Sequence, residues 1–165
     1  MSRKGAKKHP KGHPRLQVDV QVATDEDDLP TPRELVTWIR TVLAGHHLRE
    51  AEVTVRIVGE AESAALNERY RHGRGATNVL AFPFEQRAEL RLPLLGDIVI
   101  CAPVVRRQAA EQGKAARAHW AHMVVHGTLH LLGHDHQTPD QTQCMESIEK
   151  ALLAALSFPD PYAEI

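Results

Sequence analysis

The stretch KAARAHWAHMVVHGTLHLLG, Lys114 to Gly133, is apolar over most of its length and closes on a glycine. It predicts a long helix from Lys114 to Leu132 that ends at Gly133 and is buried rather than laid on a surface. Working outward from it, Ala102 to Gln112 predicts another helix, which Gly113 breaks, and Gly96 to Cys101 (GDIVIC) predicts a short apolar strand. Thr77 to Phe82 predicts a strand stopped by Pro83, and RHGRGA before it a loop. Further upstream, Leu16 to Ala23 and the residues around Val53, Val55 and Ile57 alternate apolar and polar side chains, the period of a strand with one face buried. Between and after them, Thr31 to Ala44 and Ala61 to Tyr70 have helical spacing, with Pro30 and Pro32 near the start of the first and Gly45 at its end. Downstream, Asp140 to Leu156 predicts a last helix that stops before Pro159. Strands alternate with helices early and give way to helices late. The expected fold is therefore α/β, or α+β layered, with a small mixed β-sheet packed against several helices.

A chain of 165 residues with 42% hydrophobic and 4% aromatic residues suits one aliphatic domain. No stretch approaches a membrane span, and the start lacks the apolar segment of a secretory signal, so a cytoplasmic protein with no membrane partner is expected. Cys101 and Cys144 show no CxxC spacing and are expected as buried thiols. The net charge of −1 hides an asymmetry. Arg3, Lys4, Lys7, Lys8, Lys11 and Arg15 occur before any acidic residue, which leaves the rest of the chain acidic. Residues 1–15 are expected to form a disordered basic arm, either a solubilising tail or a polyanion-binding segment, and 16–165 a single domain.

The segment HGTLHLLGHDH, His126 to His136, carries the chemistry. His126 and His130 lie four apart, so on a helix they stack one turn apart and can grip one ion. His122 continues that stripe but sits roughly 12 Å of axis from His130, too far to share an ion whose ligands lie about 2 Å away. Gly133 lets the chain reverse and bring His136 back toward the pair. His134 is an alternative third ligand, but H-x-x-x-H-x-x-G-x-x-H is the ligand skeleton of the metzincin peptidases and favours His136. The histidine-bearing helix is metzincin-like in that respect. His119, His122, His46, His47 and His72 are expected to pack or to support rather than to ligate. Asp135 is a candidate acceptor for the free N–H of a ligand imidazole, or simply a turn residue. Three neutral histidines leave a zinc ion one open position, the arrangement of a catalytic rather than a structural site.

Peptidases with this skeleton have a glutamate general base after the first histidine, and here that residue is Gly127. The peptidase reading fails there. A phosphodiester needs charge neutralisation and positioning above all, and Arg69, Arg71 and Arg74 with Thr77 and Asn78 offer phosphate-binding groups; Arg69 and Arg74 read equally as a solvated face.

The blocks LNERYRHGRGATNVLAFPFE, LLGDIVIC and HMVVHGTLHLLGHDH resemble the signature blocks of the YbeY-type rRNA maturation factors, over about Leu16 to Tyr162. The resemblance implies a metal-dependent endoribonuclease, specific for single strands, that acts on the 3′ end of the 16S rRNA precursor and in ribosome quality control, with partners on the small ribosomal subunit. It places the zinc ligands on His126, His130 and His136 and the catalytic arginine on Arg71. Two features depart from the family pattern: Ala81 stands where VLSFP has serine, and the basic arm is longer. Such an arm would add salt-sensitive contacts to phosphates. The nucleophile is either water or the RNA 2′-hydroxyl. A non-enzymatic ribosome-assembly factor with a structural zinc is the rival expectation, and a peptidase with an unusual base a weaker one.

Overall fold

Val53, Val55 and Ile57 are wholly buried while Thr54 and Arg56 between them are only partly so, and this alternation fixes the face of the sheet that forms the main core. The computed structural model describes residues 15–48, 50–85 and 93–163; the expected arm, apart from Arg15, lies outside them. Its strands are β1 (Arg15–Ala23), β2 (Glu50–Val58), β3 (Val79–Pro83) and β4 (Leu94–Cys101), and its helices are α1 (Pro32–Ala44), α2 (Glu60–Arg71), α3 (Ala102–Glu111), α4 (Ala116–Leu131) and α5 (Pro139–Ala155). The sheet runs β1-β2-β4-β3; β1, β2 and β4 are parallel and β3 is an antiparallel edge strand. The fold is thus α/β with a mixed sheet, as expected.

Each expected element is present, with boundaries shifted by a few residues. The strand expected to begin at Thr77 begins at Val79, because the Thr77 N–H is taken by Ser63 Oγ at 3.0 Å before the ladder starts. Helix α1 opens with a capping box between Thr31 and Glu34, and α5 with one between Thr138 and Gln141. Cys101 is buried, but Cys144 is exposed on α5, which corrects the expectation of two buried thiols.

Helix α4 is the centre of the main core. Its Ala121, Val124, Val125 and Leu129 are wholly buried with Leu35, Ile39 and Leu43 of α1 and Ile98 and Ile100 of β4. Each fully buried aliphatic side chain of this kind contributes about 1.5–3 kcal/mol. Val58, Val99, Cys101 and Val104 form a smaller cluster with Leu80, to which Leu66 of α2 and Phe82 of β3 add partly buried surface. Gly127 sets how close α4 comes to the sheet: a Cβ there would stand 2.9 Å from Ile98 Cγ2 and 3.3 Å from Val79 Cγ2. Buried His119 joins α4 to α3 through Gln108, with 2.9 Å between His119 Nε2 and Gln108 Oε1.

Two measurements test this packing. Gly127→Ala is expected to lower stability by about 1–2 kcal/mol in urea unfolding, since overpacking at so close a contact costs about 2–3 kcal/mol and the helix-propensity gain recovers only about 1. An unchanged or raised midpoint would show that α4 has room to shift. His119 provides the second test. Burial, followed by the nearby charges of His122 and Lys114, lowers its pKa from 6.5 to about 4. The unfolded chain therefore takes up this proton first, so stability is full above pH 6.5 and falls as pH drops toward 4, by ~3 kcal/mol across the window. The loss between pH 7.5 and pH 5 should be smaller in His119→Gln; equal losses in both proteins would mean that His119 is not held neutral in the fold.

Candidate metal centre

His126 and His130 occupy successive turns at the end of α4, with their Nε2 atoms 3.1 Å apart and ring centroids 4.6 Å apart. The helix then closes on Gly133, whose φ of +94° only glycine adopts freely. The N–H of Gly133 bonds to the His130 carbonyl at 3.0 Å and that of His134 to the Leu129 carbonyl at 3.0 Å, the paired hydrogen bonds of a Schellman turn. That reversal returns His136 to the pair, its ring centroid 5.5 Å from His126 and 4.9 Å from His130. The returning segment is fixed from α5: Thr142 Oγ1 donates to the His136 carbonyl at 3.0 Å, and Gln137 N–H bonds to Gln141 Oε1 at 3.2 Å.

The donor nitrogens of His126, His130 and His136 all lie within 4.8 Å of one another, a set that one ion with ligand bonds of about 2 Å can gather. Burial, then the neighbouring charges of His126 and His136, lowers the His130 pKa from 6.5 to about 4. His130 is therefore neutral near pH 7, the form that binds a metal.

Of the other histidines, His134 points elsewhere: its Nε2 is 2.8 Å from His46 Nε2, and His46 Nδ1 donates to the Val42 carbonyl at 2.8 Å. His134 thus ties the ligand loop to the end of α1. Asp135 turns its Oδ1 to the backbone N–H of His136 at 2.7 Å. The carboxylate that bonds an imidazole of the candidate trio is Glu149 of α5, a residue outside the sequence-based set. Glu149 is 1% exposed, and its Oε1 accepts from His126 Nδ1 at 2.8 Å. Its Oε2 accepts from His122 Nε2 at 2.5 Å and from the Tyr162 hydroxyl at 2.6 Å. Burial alone would raise this carboxyl, but the hydrogen bonds from His122, His126 and Tyr162 hold it low, at about 2. One sequence signal was available: Glu149 lies on the buried stripe of α5 between Met145 and Leu153, where an acid needs partners.

A cleft of about 610 Å³ opens between the histidines and the start of β3, and Arg71, Thr77, Asn78, Leu80 and Ala81 line its far side. Arg71, at the end of α2, donates to the Ala81 carbonyl and lies over the Phe82 ring, 5.2 Å from its centroid. Thr77 and Asn78 are brought to the same cleft; Arg69 and Arg74 do not line it, and Arg69 lies over Tyr70 instead. Gly127 also lines the cleft, at the position where a peptidase has its glutamate. The close approach of Ile98 and Val79 gives a physical reason for glycine there.

Comparison with known proteins agrees with this arrangement. The family model described as Endoribonuclease YbeY matches residues 20–157. Endoribonuclease YbeY of Nitrosococcus oceani is 48% identical over 152 residues, covering 91% of this chain and 99% of the relative. A solution structure of a Thermotoga maritima protein shares the fold, with a TM-score of 0.52 at 20% identity, covering 90% of this chain and all of the other. With the motif blocks, the histidine trio and a 48% identical relative in agreement, the chain belongs to the endoribonuclease YbeY family.

Proposed function

We propose that this endoribonuclease depends on zinc held by His126, His130 and His136, and that it cuts single-stranded RNA in 16S rRNA 3′-end maturation and ribosome quality control. The observation that carries the reading is the convergence of three neutral-type ligands across one cleft from Arg71. His126, His130 and His136 would hold the zinc, which when bound would supply positive charge and Lewis acidity toward a phosphodiester.

The chain's own residues do the rest. The planar fork of Arg71 clamps the scissile phosphate, for which it must exchange its bond to the Ala81 carbonyl for the phosphate oxygens. Thr77 and Asn78 line the path of the strand and guide its backbone; Arg69 and Arg74, outside the cleft, attract phosphates further along the RNA. Glu149 is not the base: both of its oxygens are taken by donors on the side of His126 away from the ligand nitrogen. Gly127 offers no base either, which favours a phosphodiester over a peptide bond as the target. Asp135, as the cap of the His136 N–H, holds the third ligand's backbone in place. Residues 16–165 act as one catalytic domain, residues 1–15 add phosphate contacts, and the small ribosomal subunit in the cytoplasm presents the substrate. Among the described residues no helix is long and apolar enough to cross a membrane.

The test is cleavage of a single-stranded RNA spanning the 3′ end of the 16S precursor, with the protein chelated and then resupplied with zinc. His126→Ala should lose both zinc and cleavage. Arg71→Ala should keep zinc and lose about 100- to 1000-fold in rate, the usual effect of removing one charge-stabilising donor. Product ends bearing a 2′,3′-cyclic phosphate would identify the 2′-hydroxyl as nucleophile. Equal cutting by all three proteins would assign the activity to a contaminant, and binding of RNA or ribosomal subunits without any cutting would make this an assembly factor with a structural metal.

A further inference from the structure

A carboxylate with 1% exposure is costly unless every oxygen is paired, and Glu149 meets that condition with three donors from two other parts of the chain. His122 and His126 come from α4 and Tyr162 from the segment after α5. That segment is itself pinned: Lys114 Nζ donates to the Pro161 carbonyl at 2.6 Å, and the Tyr162 N–H bonds to Asp160 Oδ1 at 2.8 Å. The Tyr162 ring also meets His122 edge-on, with centroids 5.4 Å apart.

His122, His126 and Glu149 have the composition of a second metal site. Their contacts argue otherwise. The nitrogens lie 2.5 and 2.8 Å from the carboxylate oxygens, whereas two ligands sharing a tetrahedral ion at about 2 Å each stand roughly 3.3 Å apart. These are hydrogen bonds with no room for an ion between the partners. A free histidine chooses between two tautomers, and only the one with its proton on Nδ1 leaves Nε2 available to the cluster with His130 and His136.

We infer that Glu149, held by Tyr162 and His122, is the positioning residue for His126: it fixes the proton on Nδ1 and the ring in the orientation that directs Nε2 at the metal. This rests on the zinc reading above for its consequence, but not for its geometry. The support reaches from the ligand at position 126 to a tyrosine beyond α5, so the metal site is assembled by four separate pieces of chain rather than by the eleven-residue motif alone.

The test uses full-length wild type, Glu149→Ala, Glu149→Gln and Tyr162→Phe. Long-range proton–nitrogen NMR on the metal-free proteins reports which nitrogen of His126 carries the proton, and competition with a chromophoric chelator reports zinc affinity. Wild type should show the Nδ1–H tautomer. Glu149→Ala should weaken zinc by about 10- to 100-fold, the usual effect of removing a ligand's outer partner. Glu149→Gln, whose amide oxygen still accepts from Nδ1–H, should recover most of that loss, and Tyr162→Phe should weaken zinc only a few-fold. If Glu149→Ala fails to fold, the wild-type tautomer and Tyr162→Phe decide. An Nε2–H tautomer in wild type, or zinc affinity unchanged in folded Glu149→Ala and Tyr162→Phe, overturns the inference. Should wild type bind no zinc at all, the zinc reading falls, while the tautomer still decides whether Glu149 positions His126.

Discussion

At Gly127 the helix α4 lies so close to the sheet that an added Cβ would stand 2.9 Å from a methyl of Ile98. This contact sits one residue after His126 and three before His130, so the backbone carrying two of the three clustered histidines is set directly against β4 and β3. Packed interiors transmit small displacements rather than absorb them. The distance between the histidines and the far wall of the cleft is therefore a property of core packing, and the wall itself, Val79 to Ala81, belongs to the strand that Gly127 touches.

Helices with their own start and stop signals were legible in the sequence: Pro30 and Pro32 with Gly45 for α1, and Gly133 with its reversal for α4, whereas the capping boxes at Thr31 and Thr138 emerged only in the structure. The strands were legible because Val53, Val55 and Ile57 alternate, and β4 because a short run bounded by Gly96 is apolar on both faces. The convergence of His126, His130 and His136 could be read because helical spacing and one glycine turn decide it locally. What could not be read is non-local. Glu149 lies thirteen residues past His136 and meets His126 only because α5 packs back on α4; His134 finds His46 across the fold. Arg71 was legible as a charge, and its place opposite the histidines depends on how α2 leads into β3. Cys144 was misjudged because its exposure depends on which face of α5 packs inward.

A cluster of imidazoles in a protein interior has a conflict built in. Burial first, and the charges of close histidines second, disfavour a proton on His130, yet one ionised acid sits buried beside the cluster. The two effects point the same way. Neutral rings are what a metal requires, and an ionised carboxylate with three donors is what holds one of those rings still. Acid acts on the two unequally: His130 takes its proton near pH 4 and Glu149 only near 2, so the neutral ring is lost before the ionised carboxylate.

Strand β3 is short and forms the edge of the sheet, the place where a second chain would ordinarily add itself. In its register with β4, the Cys101 N–H bonds to the Asn78 carbonyl at 2.9 Å and the Phe84 N–H to the Leu95 carbonyl at 2.8 Å, so Val79, Ala81 and Pro83 turn their backbone polar groups outward. Each of those three positions is blunted. The Val79 N–H is taken by the Asn78 side chain at 2.7 Å, the Ala81 carbonyl by Arg71, and Pro83 has no N–H to give. The arginine facing the cleft therefore also covers part of an open sheet edge, leaving one carbonyl fewer on which a further strand could pair.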